Sequence, residues 1–364
     1  MIYYIIAGEA SGDLHSSNLM AALKNLDKQA SFRFWGGDLM KAQGGVLVKH
    51  YRELAFMGFS EVLLNIKTIL RNMAFCKKDI LEFRPDVLIL VDYPGFNLRI
   101  AEFAKQNGLK VVYYISPQLW AWKQSRIHTI KRSVDKMLVI LPFEKDFYSR
   151  FNYEVEFVGH PLLDAITKDF EAPSIPESQK PLIALLPGSR KQEISVVLPL
   201  MLSVIPFFSE FRFVVAAAPS IPKEYYKSLI GDSKTELVFN QTYGLLRMAS
   251  AALVTSGTAT LETALFGVPE VVCYRGGMIS YRIAKKLIKV KFISLVNLIM
   301  DREIVRELIQ DELTVENMKV ELQQLLGVEK RKQMQSGFDE LRQKLGGSGA
   351  SRKAAESIYR FLQR

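Results

Sequence analysis

Short apolar runs alternate with longer stretches of helical periodicity almost from end to end of this 364-residue chain. The runs at 2–6, 87–91, 111–115, 137–140 and 156–158 form one set of expected strands, and those at 182–186, 213–216, 236–239, 252–254 and 270–273 a second. They are nearly continuous in apolar character, which marks strands buried on both faces; strands of that kind separated by helices build parallel sheets. Between the sets lies "KDFEAPSIPESQKP" (168–181), polar and with three prolines, a linker pattern. The expected architecture is two doubly wound α/β domains, 1–170 and 171–350, facing each other across a cleft, with ligands at the carboxyl ends of the strands. A Gly-rich break then precedes an amphipathic helix over 351–364, which either finishes the second domain or returns to the first.

One helical stretch stands apart. In "AFMGFSEVLLNIKTILRNMAF" (55–75), Phe59, Val62, Leu63, Ile66, Ile69, Leu70 and Met73 fall on one face at spacings of three and four. Leu64 and Phe75 fall on the other side, among Lys67 and Arg71. Two readings fit: a core helix with stray apolar residues, or a helix that meets a bilayer interface.

Length and charge narrow the picture. Single cores rarely grow past about 250–300 residues, so this chain is expected to hold two. The 48 Lys and Arg against 38 Asp and Glu give a net charge of +10, which favours an anionic partner: a phosphorylated ligand, an acidic lipid or a nucleic acid. Nucleic acid is the weakest of these, since no cluster of aromatic and basic residues resembles a binding motif for it. Cys76 and Cys273 are the only cysteines, which excludes a disulfide framework and a thiolate metal site and suits a reducing cytosol. The start, "MIYYIIAGEASGD", reads as mature structure, and the longest uncharged run (194–209) is too short for a span and holds two prolines.

Three strand–loop–helix junctions carry the candidate chemistry. In "YYIIAGEASGDLHSS", Gly8 and Gly12 bracket a tight loop with Ser11 or Asp13 placed to cap the next helix; the spacing is not that of a dinucleotide fingerprint. In "LIALLPGSRKQEI", a buried strand runs into Pro187, Gly188 and Ser189, then Arg190 and a helix N-terminus. An anion site and a plain surface pair of Arg190 with Glu193 both fit. In "AALVTSGTATLETALFGVPEVV", Ser256, Gly257 and Thr258 open a helix, a cradle suited to a diphosphate. Glu262, one turn inside, is placed either to accept from the two hydroxyls of a ribose or to face solvent. Asp92 follows an apolar strand and so emerges at a sheet's carboxyl edge, as a base or as the cap of the turn "DYPGFN". No D-x-D motif occurs, and His15, His50, His128 and His160 lack metal-ligand spacing, so neither a metal nor another cofactor is expected.

The ordered stretches "AGEASGD" (7–13), "ELAFMGFSEVL" (53–63), "RPDVLILVDYPGFN" (84–97), "YYISPQLWAWKQSR" (113–126), "LPFEKDFY" (141–148), "VGHP" (158–161), "LLPGSR", "TSGTATLE" and "SLVNLIMDRE" (294–303) resemble the lipid-A-disaccharide synthase family along nearly the whole chain. The resemblance implies a glycosyltransferase of the B-type fold (GT-B), two Rossmann-like domains. It also implies an inverting reaction at the cytoplasmic face of the inner membrane. UDP-2,3-diacylglucosamine would donate its sugar to 2,3-diacylglucosamine 1-phosphate, giving a β-1,6-linked disaccharide 1-phosphate of lipid A and UDP.

By the same resemblance Asp92 is the base; Glu9, Ser11 and Asp13 line the acceptor side; and Glu193, Glu262, Arg275 and Asn297 belong with Arg190, Ser256, Gly257 and Thr258 on the nucleotide side. Phe59, Val62, Leu63, Ile66, Ile69 and Leu70 lie in the segment with which the family meets lipid, and an anionic membrane surface would add about 1 kcal/mol per nearby cation. Lys285, Lys286, Lys289 and Lys291 would widen that footprint, and Trp120 and Trp122 either shape the cleft or simply pack. Relatives often carry an acidic residue where this chain has Gly95. Another UDP-sugar transferase, an epimerase, or a binding protein without turnover also suits the two-domain pattern, and a homodimer is compatible with it.

Overall fold

The computed structural model describes residues 1–54, 66–121, 123–166, 180–231, 233, 235–277 and 291–364. They form two compact units, Met1–Ala165 with Leu345–Arg364, and Ile166–Lys344. The expected linker lies almost wholly outside the described residues.

The first unit is built on β1 (Ile2–Ala7), β2 (Ser31–Gly36), β3 (Val46–His50), β4 (Val87–Val91), β5 (Lys110–Tyr114), β6 (Lys136–Val139) and β7 (Glu156–Phe157). They pair in parallel in the order β3-β2-β1-β4-β5-β6-β7. The second holds β8 (Leu182–Leu186), β9 (Arg212–Ala217), β10 (Glu236–Phe239), β11 (Ala249–Thr255), β12 (Glu270–Tyr274) and β13 (Arg306–Ile309), parallel in the order β10-β9-β8-β11-β12-β13. Strands β1, β4, β8 and β11 are central and almost wholly buried, the environment that selects their largely apolar sequences. Chain order reverses between β1 and β4, and again between β8 and β11. Loops at such switch points diverge and leave a crevice at the strands' carboxyl ends.

Three strands escaped the sequence expectation: β2, β3 and β13. β3 and β13 are sheet edges with polar residues in short runs. β2 is interior but carries Arg33, whose guanidinium is paired with Asp79 and lies over the Phe83 ring at 5.6 Å. A charge in a buried strand is tolerable only with such a partner, which local sequence does not reveal.

The helix Ile66–Phe83 buries Met73, Cys76 and Ile80. Its first turns do not continue that stripe: Ile66 and Leu70 are 49% and 57% exposed, and Ile69 is half-buried. For these residues the core-helix reading is therefore corrected. Phe59, Val62, Leu63 and Leu64 lie outside the described residues, as do Lys285, Lys286 and Lys289. No helix among the described residues is long and apolar enough to cross a membrane.

The last helix, Ala350–Leu362, belongs to the first unit. It lays Ala350, Ala354, Ala355 and Ile358 against the helix Ala10–Leu26, and small side chains let the two approach closely. Asp164 fixes its start by accepting from the backbone amides of Gly349 and Ser351, the latter at 2.8 Å.

Candidate active site

In the first unit the site is built at the adjoining ends of β1 and β4. Asp92 is the residue after β4, and both it and Tyr93 adopt left-handed backbone, with φ of +45° and +50°. Such a conformation costs a non-glycine residue roughly 1–3 kcal/mol and persists only where neighbours impose it. The Asp92 carbonyl accepts from the Tyr113 hydroxyl at 2.6 Å and the Asn97 side-chain amide at 2.8 Å, and its own N–H donates to Tyr114 O at 3.2 Å. The Tyr93 ring lies against Gly8, where any Cβ would stand 2.4 Å from a ring carbon, so the glycine is a requirement of this contact.

Asp92 is partly buried, and its carboxyl is pushed up to about 7. Burial is the main cause and the negative charge of Glu9 the second, against a hydrogen bond from the Tyr93 amide. Glu9 is the N-cap residue of the helix Ala10–Leu26, and Ser11 is exposed in that helix's first turn. Asp13 does neither task given it by sequence. Its buried carboxylate accepts from the amides of Gly37 at 2.8 Å, Met40 at 3.0 Å and Leu39 at 3.1 Å, capping the next helix, Asp38–Ala42. An acceptor so occupied is structural.

Farther along the carboxyl edge, Glu144 is buried and accepts from Leu141 N at 2.9 Å; burial pushes it up to about 8. Beside it Ser116 Oγ and Tyr148 Oη are 2.6 Å apart. Trp120 meets Phe143 edge-on at 5.1 Å, and Trp122 lies outside the described residues. Sequence reading gave Glu144 no role, because its local signal, a carboxylate in a short helix, says nothing about desolvation.

In the second unit a cavity of about 250 Å³ opens at the carboxyl ends of β8 and β11. Gly188, Ser189, Glu193, Ser256, Gly257, Thr258 and Glu262 line it, together with Thr242 and Ala216 to Pro219, which sequence had not singled out. Gly188 has φ of +102°, and a Cβ there would meet Glu193 Oε2 at 2.9 Å. Ser256 is tied down by donating to Ile293 O at 2.9 Å, while Thr258 stands exposed at the start of the helix Thr258–Leu265. Glu262 accepts from the Tyr243 hydroxyl at 3.2 Å, and burial raises its carboxyl above the ordinary range. The free amides of that helix start and a half-buried carboxylate one turn in suit a phosphate and a neighbouring diol.

Arg190 is 63% exposed, pairs with Glu193 at 3.0 Å and is not among the lining residues. Two assignments are corrected. The Asn297 amide is fully buried and spends both ends on the protein, donating to Val305 O and Glu307 Oε1 and accepting from Ile304 N and Val305 N. Arg275 donates to the carbonyls of Gln310 and Leu313. Both brace the chain beyond β12 and β13. Lys291 pairs with Asp301 at 3.1 Å, both exposed. Among the described residues no group of three or more His, Cys, Asp or Glu is placed to hold a metal ion.

Two parallel α/β units with loops of this kind at their switch points define the fold of two-domain glycosyltransferases and UDP-sugar epimerases. The solved UDP-GlcNAc 2-epimerase from Neisseria meningitidis bound to UDP-GlcNAc matches with a TM-score of 0.66 at 12% identity, covering 100% of both chains. The glycotransferase of kitacinnamycin matches at 0.66 and 13% identity, covering 99% of each. Within that class, the chain belongs to the lipid-A-disaccharide synthetase family, whose model matches residues 3–359. Lipid-A-disaccharide synthases of Myxococcus xanthus (strain DK1622) and Syntrophus aciditrophicus (strain SB) are 40% and 39% identical to it. The matches cover 98% and 99% of this chain and 97% of each relative.

Proposed function

We propose that this chain transfers 2,3-diacylglucosamine, with inversion, from UDP-2,3-diacylglucosamine to 2,3-diacylglucosamine 1-phosphate, forming the β-1,6-linked disaccharide 1-phosphate of lipid A and UDP. Beyond family membership, the observation that carries this is Asp92, partly buried beside Glu9 at the end of β4. A sugar hydroxyl is a very weak acid, so a base whose raised proton affinity leaves it about half ionised at neutral pH is well matched to it; such a group contributes roughly 10²- to 10⁴-fold. Glu9 serves by tuning that affinity. In the second unit the start of the helix Thr258–Leu265 receives the diphosphate and Glu262 the ribose, so charge that develops on the leaving UDP meets fixed amide donors. Arg190, exposed at the N-cap of the helix Lys191–Leu202, supplies a cation beside them.

The acyl chains and the membrane are assigned to the start of the helix Ile66–Phe83. Exposed Ile66 and Leu70 stand there with exposed Lys67 and Arg71. An apolar groove of about 580 Å³, lined by Ile66, Ile69, Leu70, Met73 and Phe103 with Lys77, Arg99 and one carboxylate, Glu102, runs alongside. Cations beside apolar groups suit an anionic inner-membrane surface.

The test is product mass and UDP release with purified protein and both lipids in detergent, with a chelator present. A diacylglucosamine disaccharide 1-phosphate formed only when both lipids are supplied supports the reading. Nucleotide release without the acceptor, or no product with either lipid, overturns the substrate assignment.

A further inference from the structure

We infer that Asn97 and Tyr113 are positioning residues for Asp92: together they clamp its carbonyl and so hold the left-handed elbow that aims its carboxylate. The inference rests on Asp92 being the base. Two consecutive non-glycine residues with positive φ would not keep that conformation unaided, and glycine would be the usual choice at both. The sequence instead places Asp92 and Tyr93 there, so their side chains are needed and the backbone must be held from outside.

The clamp comes from two directions. Tyr113, wholly buried on the neighbouring strand β5, donates to the Asp92 carbonyl at 2.6 Å. Asn97, wholly buried one turn into the helix Pro94–Gln106, donates to the same carbonyl at 2.8 Å, to Val91 O at 3.2 Å and to Ile6 O at 3.4 Å. Its backbone amide also donates to Tyr93 O at 3.0 Å. One side chain thus ties the ends of β1 and β4 to the elbow between β4 and its helix. The Asn97 Oδ1 atom is buried without a hydrogen-bond partner among the described residues. Against the elbow, Gly95 is exposed and a Cβ there meets nothing, so the loop's outer side supplies no restraint of its own. The titratable and charged groups around Asp92 are Glu9 after β1, Tyr93 in the elbow, Tyr113 on β5 and, beyond it, Arg126.

The experiment compares Tyr113→Phe, Asn97→Ala and Asp92→Asn in full-length protein, reading kcat, KM, the pH profile of kcat and thermal stability. Tyr113→Phe removes one hydroxyl and little volume, so it should fold normally and lower kcat about five- to tenfold. Asn97→Ala should lower kcat by about 10²-fold, the scale of a misplaced reacting group. In both, KM should stay within about threefold, and the acid limb of the profile should move to lower pH as the carboxylate swings away from Glu9 toward water. If Asp92→Asn is inactive while both variants keep normal kcat and an unmoved acid limb, the clamp is overturned and the base assignment stands. Loss of rate only in proportion to loss of folded protein, with the limb unmoved, also overturns it. If Asp92→Asn itself turns over normally, the base assignment fails and takes the clamp's catalytic meaning with it.

Discussion

A carboxylate held at a raised proton affinity taxes the fold that holds it. Between its ordinary value near 4 and its folded value of about 7, folded Asp92 keeps a proton that the unfolded chain has released. Stability must therefore fall as pH rises through that window. Asp92→Asn should stabilise the protein at pH 8, by roughly 1–3 kcal/mol, and the gain should vanish near pH 4. Thermal unfolding at the two pH values checks this, and an equal gain at both would refute burial beside Glu9 as the cause. At this scale the sequence spoke unevenly. The place of Asp92 at the end of β4 was legible because an apolar strand leads straight into it. Asp13 and Asn297 were misread because a carboxylate or amide looks the same whether it meets a substrate or the amides of Gly37 to Met40 or of Ile304 and Val305.

At the scale of elements, the helix Ile66–Phe83 changes character along its length, buried at Met73, Cys76 and Ile80 and open at Ile66 and Leu70. Replacing both Ile66 and Leu70 with Ser should cost less than about 1 kcal/mol of stability, because both are already about half exposed. The same change should lower partitioning into anionic vesicles by about tenfold or more, since roughly 1 kcal/mol per apolar side chain is forfeited. Sedimentation with vesicles beside a denaturation curve separates the two. Lost stability with unchanged partitioning would return the helix start to the core. Periodicity alone could not separate these outcomes, because a wheel marks a stripe without saying what covers it.

At the scale of the molecule, the chain's last twenty residues, Leu345–Arg364, are part of the first unit although the second unit lies between them and the rest of it in sequence. Ile358 is fully buried there and Asp164 caps the helix start. Ile358→Ala should cost about 2–5 kcal/mol and Asp164→Ala about 1 kcal/mol. Hydrogen exchange should show the loss in the helix Ala10–Leu26 and β1, with β8 and β11 still protected. Equal loss in both units would mean the closing helix braces the whole chain.

The sequence by itself determined the class of fold and ten of its strands, because burial on both sheet faces demands largely apolar runs that local pattern displays. Tertiary structure alone decided where the last helix packs and which polar residues are committed to backbone. It also decided that the hydroxyl of Tyr113, the amide of Asn97 and the absent side chain of Gly8 converge on one strained elbow. Those facts depend on contacts between positions far apart in sequence, 91 residues for Asn97 with Ile6 and 187 for Ser351 with Asp164, and no periodicity within a segment encodes them.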